Sequence, residues 1–265
     1  PHIVDELMSV DYLNRVVVGL SGATAAEYEQ ALDFFSVLPQ ATAVIWNDGP
    51  RLKSIFGRLK KAGLLSETSG KAHNLWISLG YLLACRDSAV IAVHDTDILT
   101  YERALLARLV YPLLDPNMEY EFAKGYYARV SDRLHGRVTR LFVTPLLKSL
   151  RKVCGRLDFL DYLDAFRYPL AGEYALTATL AGASPMPTHC GLELGLLGEV
   201  YANCTERRIC QVDLSIDYEH HHVELSEDDP GAGLLKMCID IATTLFSSLA
   251  AEGLILSDDL LRTLK

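Results

Sequence analysis

The stretch AVIAVHDTDILTYE, residues 89–102, decides the fold. Five apolar residues, Ala89 to Val93, read as a buried strand, and His94, Asp95, Thr96 and Asp97 follow at once. In open α/β sheets ligands bind beyond the carboxyl ends of the strands, and that is where these carboxylates fall. On an extended segment, residues two apart point the same way, so Asp95 and Asp97 can converge on one ligand. Two like charges held close repel unless a cation lies between them. A hard divalent ion, Mg²⁺ or Mn²⁺, prefers oxygen ligands of this kind and often bridges to phosphates. Asp-x-Asp after a strand is therefore a candidate metal–diphosphate site, although Asp is also common in caps and turns.

Upstream of this stretch, strand-like and helix-like runs alternate. RVVVGL (15–20) reads as a strand and TAAEYEQALDFFSVL (24–38) as a helix, with Thr24 and Glu27 forming a capping box. ATAVIW (41–46) is a second strand closed by the turn signal NDGP (47–50); RLKSIFGRLKKAGL (51–64) and AHNLWISLGYLLAC (72–85) are helices. The rhythm predicts an α/β fold with a doubly wound, mostly parallel sheet and flanking helices. The second half is more mixed. MEYEFAKGYYARV (118–130) alternates like a strand, GRVTRLFVTPLLKSLRKVCG (136–155) and GLELGLLGEVYANC (191–204) read as helices, and RICQVDLSI (208–216) as a strand. A long helix over 232–251 and a short one capped by Ser257 close the chain. The pattern changes near residue 115, so residues 1–115 and a more mixed, helical 116–265 are expected to form two halves of the same compact unit.

The composition suits this reading. The chain has 265 residues, half of them hydrophobic, and a formal net charge of −9. An acidic surface repels phosphate backbones, which argues against nucleic acid as a partner. The apolar tail segment 234–256 carries Lys236, Asp240 and Glu252 and reads as amphipathic, not as a membrane span. Six cysteines without a Cys-x-x-Cys pair read as reduced thiols of a cytoplasmic protein.

Three further clusters belong with the carboxylates. QVDLSIDYEHHH (211–222) is a strand running into His220, His221 and His222, where one imidazole can complete a carboxylate metal site; the alternative is a solvated loop. SGKAHNLW (69–76) places Gly70 and Lys71 at a helix start, near where a phosphate can be held, but lacks the spacing of a Walker loop. GRVTR (136–140) brings Gly136, Arg137 and Thr139 to a predicted helix N-terminus: backbone donors, a guanidinium and a hydroxyl, which together describe an anion pocket.

Taken in order, GKAHNLW, HDTDI, AKGYYAR, GRVTRLFVTPLL, YPLAGEYA, GLELGLL and QVDLSIDYEHHH resemble the glucosyl-3-phosphoglycerate synthase family of retaining glycosyltransferases with the GT-A fold, over roughly residues 70 to 225. The resemblance implies transfer of glucose from a nucleotide sugar, usually UDP-glucose, to 3-phosphoglycerate with retention at the anomeric carbon. It makes Asp97 and His220 metal ligands, joining the Asp95 that the strand-end spacing already offers to the ion. It assigns the donor to Lys71, Asp95 and Thr96, with Ser21 grouped beside them, and the acceptor to Gly136, Arg137, Thr139 and His222. Glu193 matches an acid beside the donor sugar, and Leu170 a position whose backbone carbonyl faces the reacting centre; with Asp97 these form the expected catalytic set. A homodimer is the family-level expectation.

Two departures stand out. Gly70-Lys71-Ala72 replaces the family's Gly-Lys-Gly, and a Cβ at Ala72 is expected to restrict the loop. The family also begins with a strand and an acidic loop that hold the base, and no such segment precedes Pro1, so residues upstream are expected. Competing readings are a GDP-mannose donor, a metal-dependent nucleotide hydrolase, and a non-catalytic nucleotide-sugar-binding module.

Overall fold

The computed structural model describes residues 2–64, 70–127, 136–185, 191–214, 233–255 and 257–263. The helices are α1 (His2–Met8), α2 (Ala25–Phe35), α3 (Pro50–Lys61), α4 (Lys71–Cys85), α5 (Arg103–Leu114), α6 (Thr144–Cys154), α7 (Asp158–Asp164), α8 (Ala178–Ala183), α9 (Leu192–Asn203), α10 (Gly233–Ala251) and α11 (Asp258–Thr263). The strands are β1 (Arg15–Leu20), β2 (Ala41–Trp46), β3 (Val90–Val93), β4 (Phe122–Tyr126), β5 (Tyr174–Thr177) and β6 (Ile209–Asp213). The described residues form two compact units, one before Val90 and one from Val90 onward. The division falls at β3, which takes its hydrogen bonds from β5, far along the chain.

The first unit is built on β1 and β2, paired in parallel with Arg15 opposite Ala41 and Leu20 opposite Trp46. Thr24 caps α2 with the expected reciprocal box: its hydroxyl accepts from the Glu27 amide, and the Glu27 carboxylate accepts from the Thr24 amide. That box holds the Glu27 carboxyl below its ordinary range. Pro50 opens α3 in the first turn, where a missing N–H costs nothing. Arg15 and Asp87 pair at 2.7 Å.

The second unit holds a four-stranded sheet in the order β3-β5-β4-β6. β4 and β6 are parallel, and β5 runs antiparallel to both β3 and β4. Three strands thus run one way, and β5 is the member that makes the sheet mixed. β5 was not legible as a strand: Tyr-Ala-Leu-Thr is short, shows no alternation and is buried on both faces. The core around it is dense, with Phe122, Ala123, Ala175, Leu176, Leu196 and Leu197 excluded from solvent.

α10 has the length and hydropathy of a membrane-crossing helix. It buries one stripe, Ile241, Thr244, Leu245 and Leu249, and packs on α9, while Lys236 and Asp240 pair across one turn at 2.6 Å. The 136–155 reading resolves into a π-helical turn, Thr139–Val143, that runs into α6. Pro145 sits in the first turn of α6, so it starts the α-geometry instead of kinking it.

Candidate functional site

Within the second unit, β3, β4 and β6 share one direction, so their carboxyl ends lie at one edge of the sheet. Past the end of β3 the chain turns through Thr96 and Asp97, with Asp95 and Asp97 half-buried and Thr96 exposed. Ile98, buried, pins the turn from below. His94 does not join the carboxylates as a ligand. Both of its ring nitrogens are buried without a hydrogen-bond partner, and its ring packs edge-on to Tyr101 at 5.5 Å. Burial lowers its pKa to about 4, against a smaller opposing pull from Asp95, so the ring is a neutral packing element.

β5 supplies the floor. Tyr174 lies opposite Val93 of β3 and opposite Lys124 of β4. Lys124 is 1% exposed; its ammonium donates to the Ala171 carbonyl at 2.5 Å and lies 5.6 Å from the Tyr174 ring centre. This bond ties the segment carrying Leu170, half-buried, to the sheet. Gly125 donates to the Glu173 carbonyl at 2.9 Å, and a Cβ there would sit 3.0 Å from that oxygen and 2.6 Å from the Leu214 side chain, so a larger residue would push Leu214 aside. Glu193 lies in the first turn of α9, half-buried.

The GRVTR segment, expected to form an anion pocket, opens on a glycine turn. Gly136 has φ +72°, a region that L side chains rarely adopt, and the Tyr168 ring lies 3.5 Å from where its Cβ would be. Arg140 donates its amide to the Gly136 carbonyl at 3.0 Å, which starts the helical turn. Arg137 is exposed; Thr139 is buried, and its hydroxyl has no hydrogen-bond partner. A buried hydroxyl without a partner is costly, and such groups collect where a ligand is handled.

The remaining predicted residues divide as follows. Ser21 and Lys71 lie in the first unit, both exposed. Lys71 opens α4, behind Gly70 with φ +96°. Ala72, expected to strain this loop, is instead a buried residue of the regular first turn of α4. His220 and His222, with His221, lie outside the described residues, as does Ser69.

Sequence reasoning missed a polar network around Ser21. The Asn47 amide donates to the Ser21 hydroxyl at 2.8 Å and to the Asn74 carbonyl oxygen at 2.9 Å; Asn74 in turn donates to the Gly19 carbonyl at 2.9 Å. Asp48 accepts from the Gly22 amide at 2.6 Å and from the Ala23 amide at 3.3 Å. Asn47 and Asp48 read as turn residues and Asn74 as part of a helix; none carries a signal that marks its partner, dozens of residues away.

Asp95 and Asp97 are hard oxygen donors two residues apart, a set that fits Mn²⁺ or Mg²⁺. Among the described residues no third metal-ligating side chain joins them.

Solved structures with the same fold include glucosyl-3-phosphoglycerate synthase from Mycobacterium tuberculosis in complex with Mn²⁺, UDP and phosphoglyceric acid. It superposes with a TM-score of 0.66 at 24% identity, over 93% of this chain and 72% of that one. A mycobacterial protein superposes with a TM-score of 0.65 at 26% identity, over 93% and 69%. The fold is thus the GT-A type, as the family resemblance implied. In sequence the chain is a homologue of the glucosyl-3-phosphoglycerate synthases. It is 44% identical over 264 residues to the one from Persephonella marina and 44% over 246 residues to the one from Methanococcoides burtonii. These alignments cover all and 91% of this chain but 65% and 60% of those proteins, so the chain spans just under two thirds of their length. No family model matches the chain.

Proposed function

We propose that the protein is a metal-dependent retaining glycosyltransferase that moves glucose from UDP-glucose to 3-phosphoglycerate, releasing UDP. The observation that carries this reading is the 44% identity to a glucosyl-3-phosphoglycerate synthase along the whole chain. The bound Mn²⁺, UDP and phosphoglyceric acid of the mycobacterial structure support it. So do the strand-end carboxylates and the buried, unpartnered Thr139 hydroxyl of the present one.

In this reading Asp97 and Asp95, completed by His220, hold Mg²⁺ or Mn²⁺. The ion neutralises charge on the departing diphosphate. Lys71, Thr96 and Ser21 bind the donor, with Lys71 opposing the diphosphate charge. Arg137 and Thr139, over the Gly136 turn, grip the acceptor phosphate, and His222 contributes to the same pocket. Fixing the phosphate presents the glycerate hydroxyl to the anomeric carbon on the face the diphosphate leaves. Orientation of this kind lowers a barrier by up to about 7–11 kcal/mol in ideal cases. The new bond joins that hydroxyl oxygen to the anomeric carbon as the carbon–diphosphate bond breaks, and the hydroxyl proton leaves with the diphosphate. Glu193 holds sugar hydroxyls, and the Leu170 carbonyl faces the reacting carbon.

The reaction belongs in the cytoplasm. The five cysteines among the described residues are free thiols, and burial pushes Cys204 up to about 12 and Cys210 up to about 11, which leaves them protonated and inert.

The test is UDP or GDP release by the protein at its natural full length with Mn²⁺, 3-phosphoglycerate and either UDP-glucose or GDP-mannose. Release that requires the acceptor and is lost in Asp97→Ala supports the transferase and names the donor. Release without acceptor makes it a hydrolase, and turnover with GDP-mannose alone makes it a mannosyltransferase.

A further inference from the structure

The segment 167–171 links two parts of the candidate site, and both of its ends are tied to the sheet. The Arg167 amide donates to Gln211 Oε1 on β6 at 2.8 Å, and the Arg167 guanidinium lies 4.8 Å from the Tyr126 ring centre of β4. The Ala171 amide donates to the Tyr168 carbonyl at 3.2 Å, closing a turn with Pro169 and Leu170 at its centre. Proline presets the backbone at the first central position of such a turn. The Ala171 carbonyl accepts from the buried Lys124 ammonium of β4 at 2.5 Å. From this held turn the Tyr168 ring reaches Gly136. The ring edge lies 3.5 Å, and the phenol oxygen 3.7 Å, from where a Gly136 Cβ would be. The Tyr127 ring, directly after β4, packs on Tyr168 with ring centres 5.1 Å apart.

We propose that Tyr168 is a positioning residue for the acceptor: its ring sets the Gly136 turn, and with it Arg137 and Thr139, at a fixed separation from the Leu170 carbonyl. This rests on the reading of Gly136, Arg137 and Thr139 as the acceptor-phosphate pocket and of the Leu170 carbonyl as facing the reacting carbon. Tyr168 belongs to both parts. Its ring faces the glycine of the pocket, and its carbonyl closes the turn that carries Leu170. Gly136, at φ +72°, has no side chain with which to anchor itself, so a stiff ring against its backbone supplies the anchor. The acceptor carries its phosphate and its attacking hydroxyl on one small molecule, so the spacing between the two contact points has to match it. A misplacement of about 1 Å costs up to about 100-fold in rate.

The experiment is steady-state transfer by the protein at its natural full length with Mn²⁺, varying 3-phosphoglycerate and UDP-glucose in turn. It compares wild type, Tyr168→Phe, Tyr168→Leu and Tyr168→Ala. Tyr168→Ala is expected to raise the KM for 3-phosphoglycerate about tenfold and to leave the KM for UDP-glucose within about twofold. Tyr168→Phe keeps the ring and stays within about twofold of wild type for both substrates. Tyr168→Leu keeps apolar bulk without the reach of the ring and repeats the acceptor defect, so it carries the test where the alanine variant does not fold. A merely structural role lowers the amount of active protein, and so the rate, with both KM values unchanged. An unchanged KM for 3-phosphoglycerate, an equal rise in both KM values, or a Tyr168→Phe variant as impaired as Tyr168→Ala each overturns the inference alone. A wild-type protein that transfers nothing to 3-phosphoglycerate refutes the acceptor reading and this inference with it.

Discussion

Replacing Gly19 by alanine tests the polar network that ties β1 to α4. A Cβ at this position would lie 1.9 Å from Asn74 Oδ1, 2.5 Å from its Cγ and 2.7 Å from its Nδ2, so the Asn74 side chain must leave its place. Two hydrogen bonds go with it: Asn74 to the Gly19 carbonyl and Asn47 to Asn74, each 2.9 Å. At about 1 kcal/mol apiece they cost about 2 kcal/mol. Displacing a packed side chain adds about 1–3 kcal/mol, and the stiffer unfolded chain returns about 0.5 kcal/mol. The expected loss is about 3 kcal/mol, which at an m-value of about 1.5 kcal/mol/M lowers the urea midpoint by about 2 M. Trp46 and Trp76, the two tryptophans of the chain, both lie in this unit, so intrinsic fluorescence reports its unfolding. Gly22→Ala is the control. Its φ is +73° with nothing within 4 Å, so it carries only the left-handed penalty of about 1 kcal/mol. Asn74→Ala removes the clash, so Gly19→Ala in that background is expected to cost under about 1 kcal/mol. A Gly19→Ala midpoint no lower than that of Gly22→Ala, or equal costs in both backgrounds, refutes the network as drawn.

Three more outcomes are expected. Thr139→Val keeps the shape of the buried side chain and removes its unpartnered hydroxyl. Stability should hold or rise, while the KM for 3-phosphoglycerate rises about tenfold with kcat nearly unchanged; an unaltered KM removes Thr139 from the acceptor pocket. His73 is buried between Phe56 and Trp76, and burial, then the Lys60 charge, lower its pKa. Because the unfolded chain binds this proton more readily, stability is flat above about pH 6.5 and falls as pH drops below it. His73→Phe should flatten that slope in fluorescence-monitored unfolding, and an unchanged slope assigns it to other groups. Chelation should stop UDP release, with Mn²⁺ restoring it in wild type but not in Asp97→Ala; release that survives chelation excludes a metal role for the strand-end carboxylates.

What the sequence determined by itself was local or periodic. Apolar runs bounded by turn signals placed β1, β2 and β3 to within a residue, because a buried strand must be apolar and must end where the chain turns. The Thr24–Glu27 box was legible because both partners of a cap lie within one turn. The Asp95–Asp97 pair stood out because two charges follow directly on a buried strand. Tertiary structure alone decided what depends on partners distant in the chain. β5, four residues without alternation, is a strand only because β3 and β4 hydrogen-bond it from both sides, and it turns the sheet mixed. The identities of Asn47, Asn74, Lys124 and Tyr174 said nothing of their roles. A buried amide or phenol acquires meaning from the groups that fail or succeed in pairing with it, and those arrive from dozens of residues away. The distinction is one of range. Backbone propensity and capping act within a turn, whereas burial and hydrogen-bond satisfaction are settled only when the sheet has closed around the side chain.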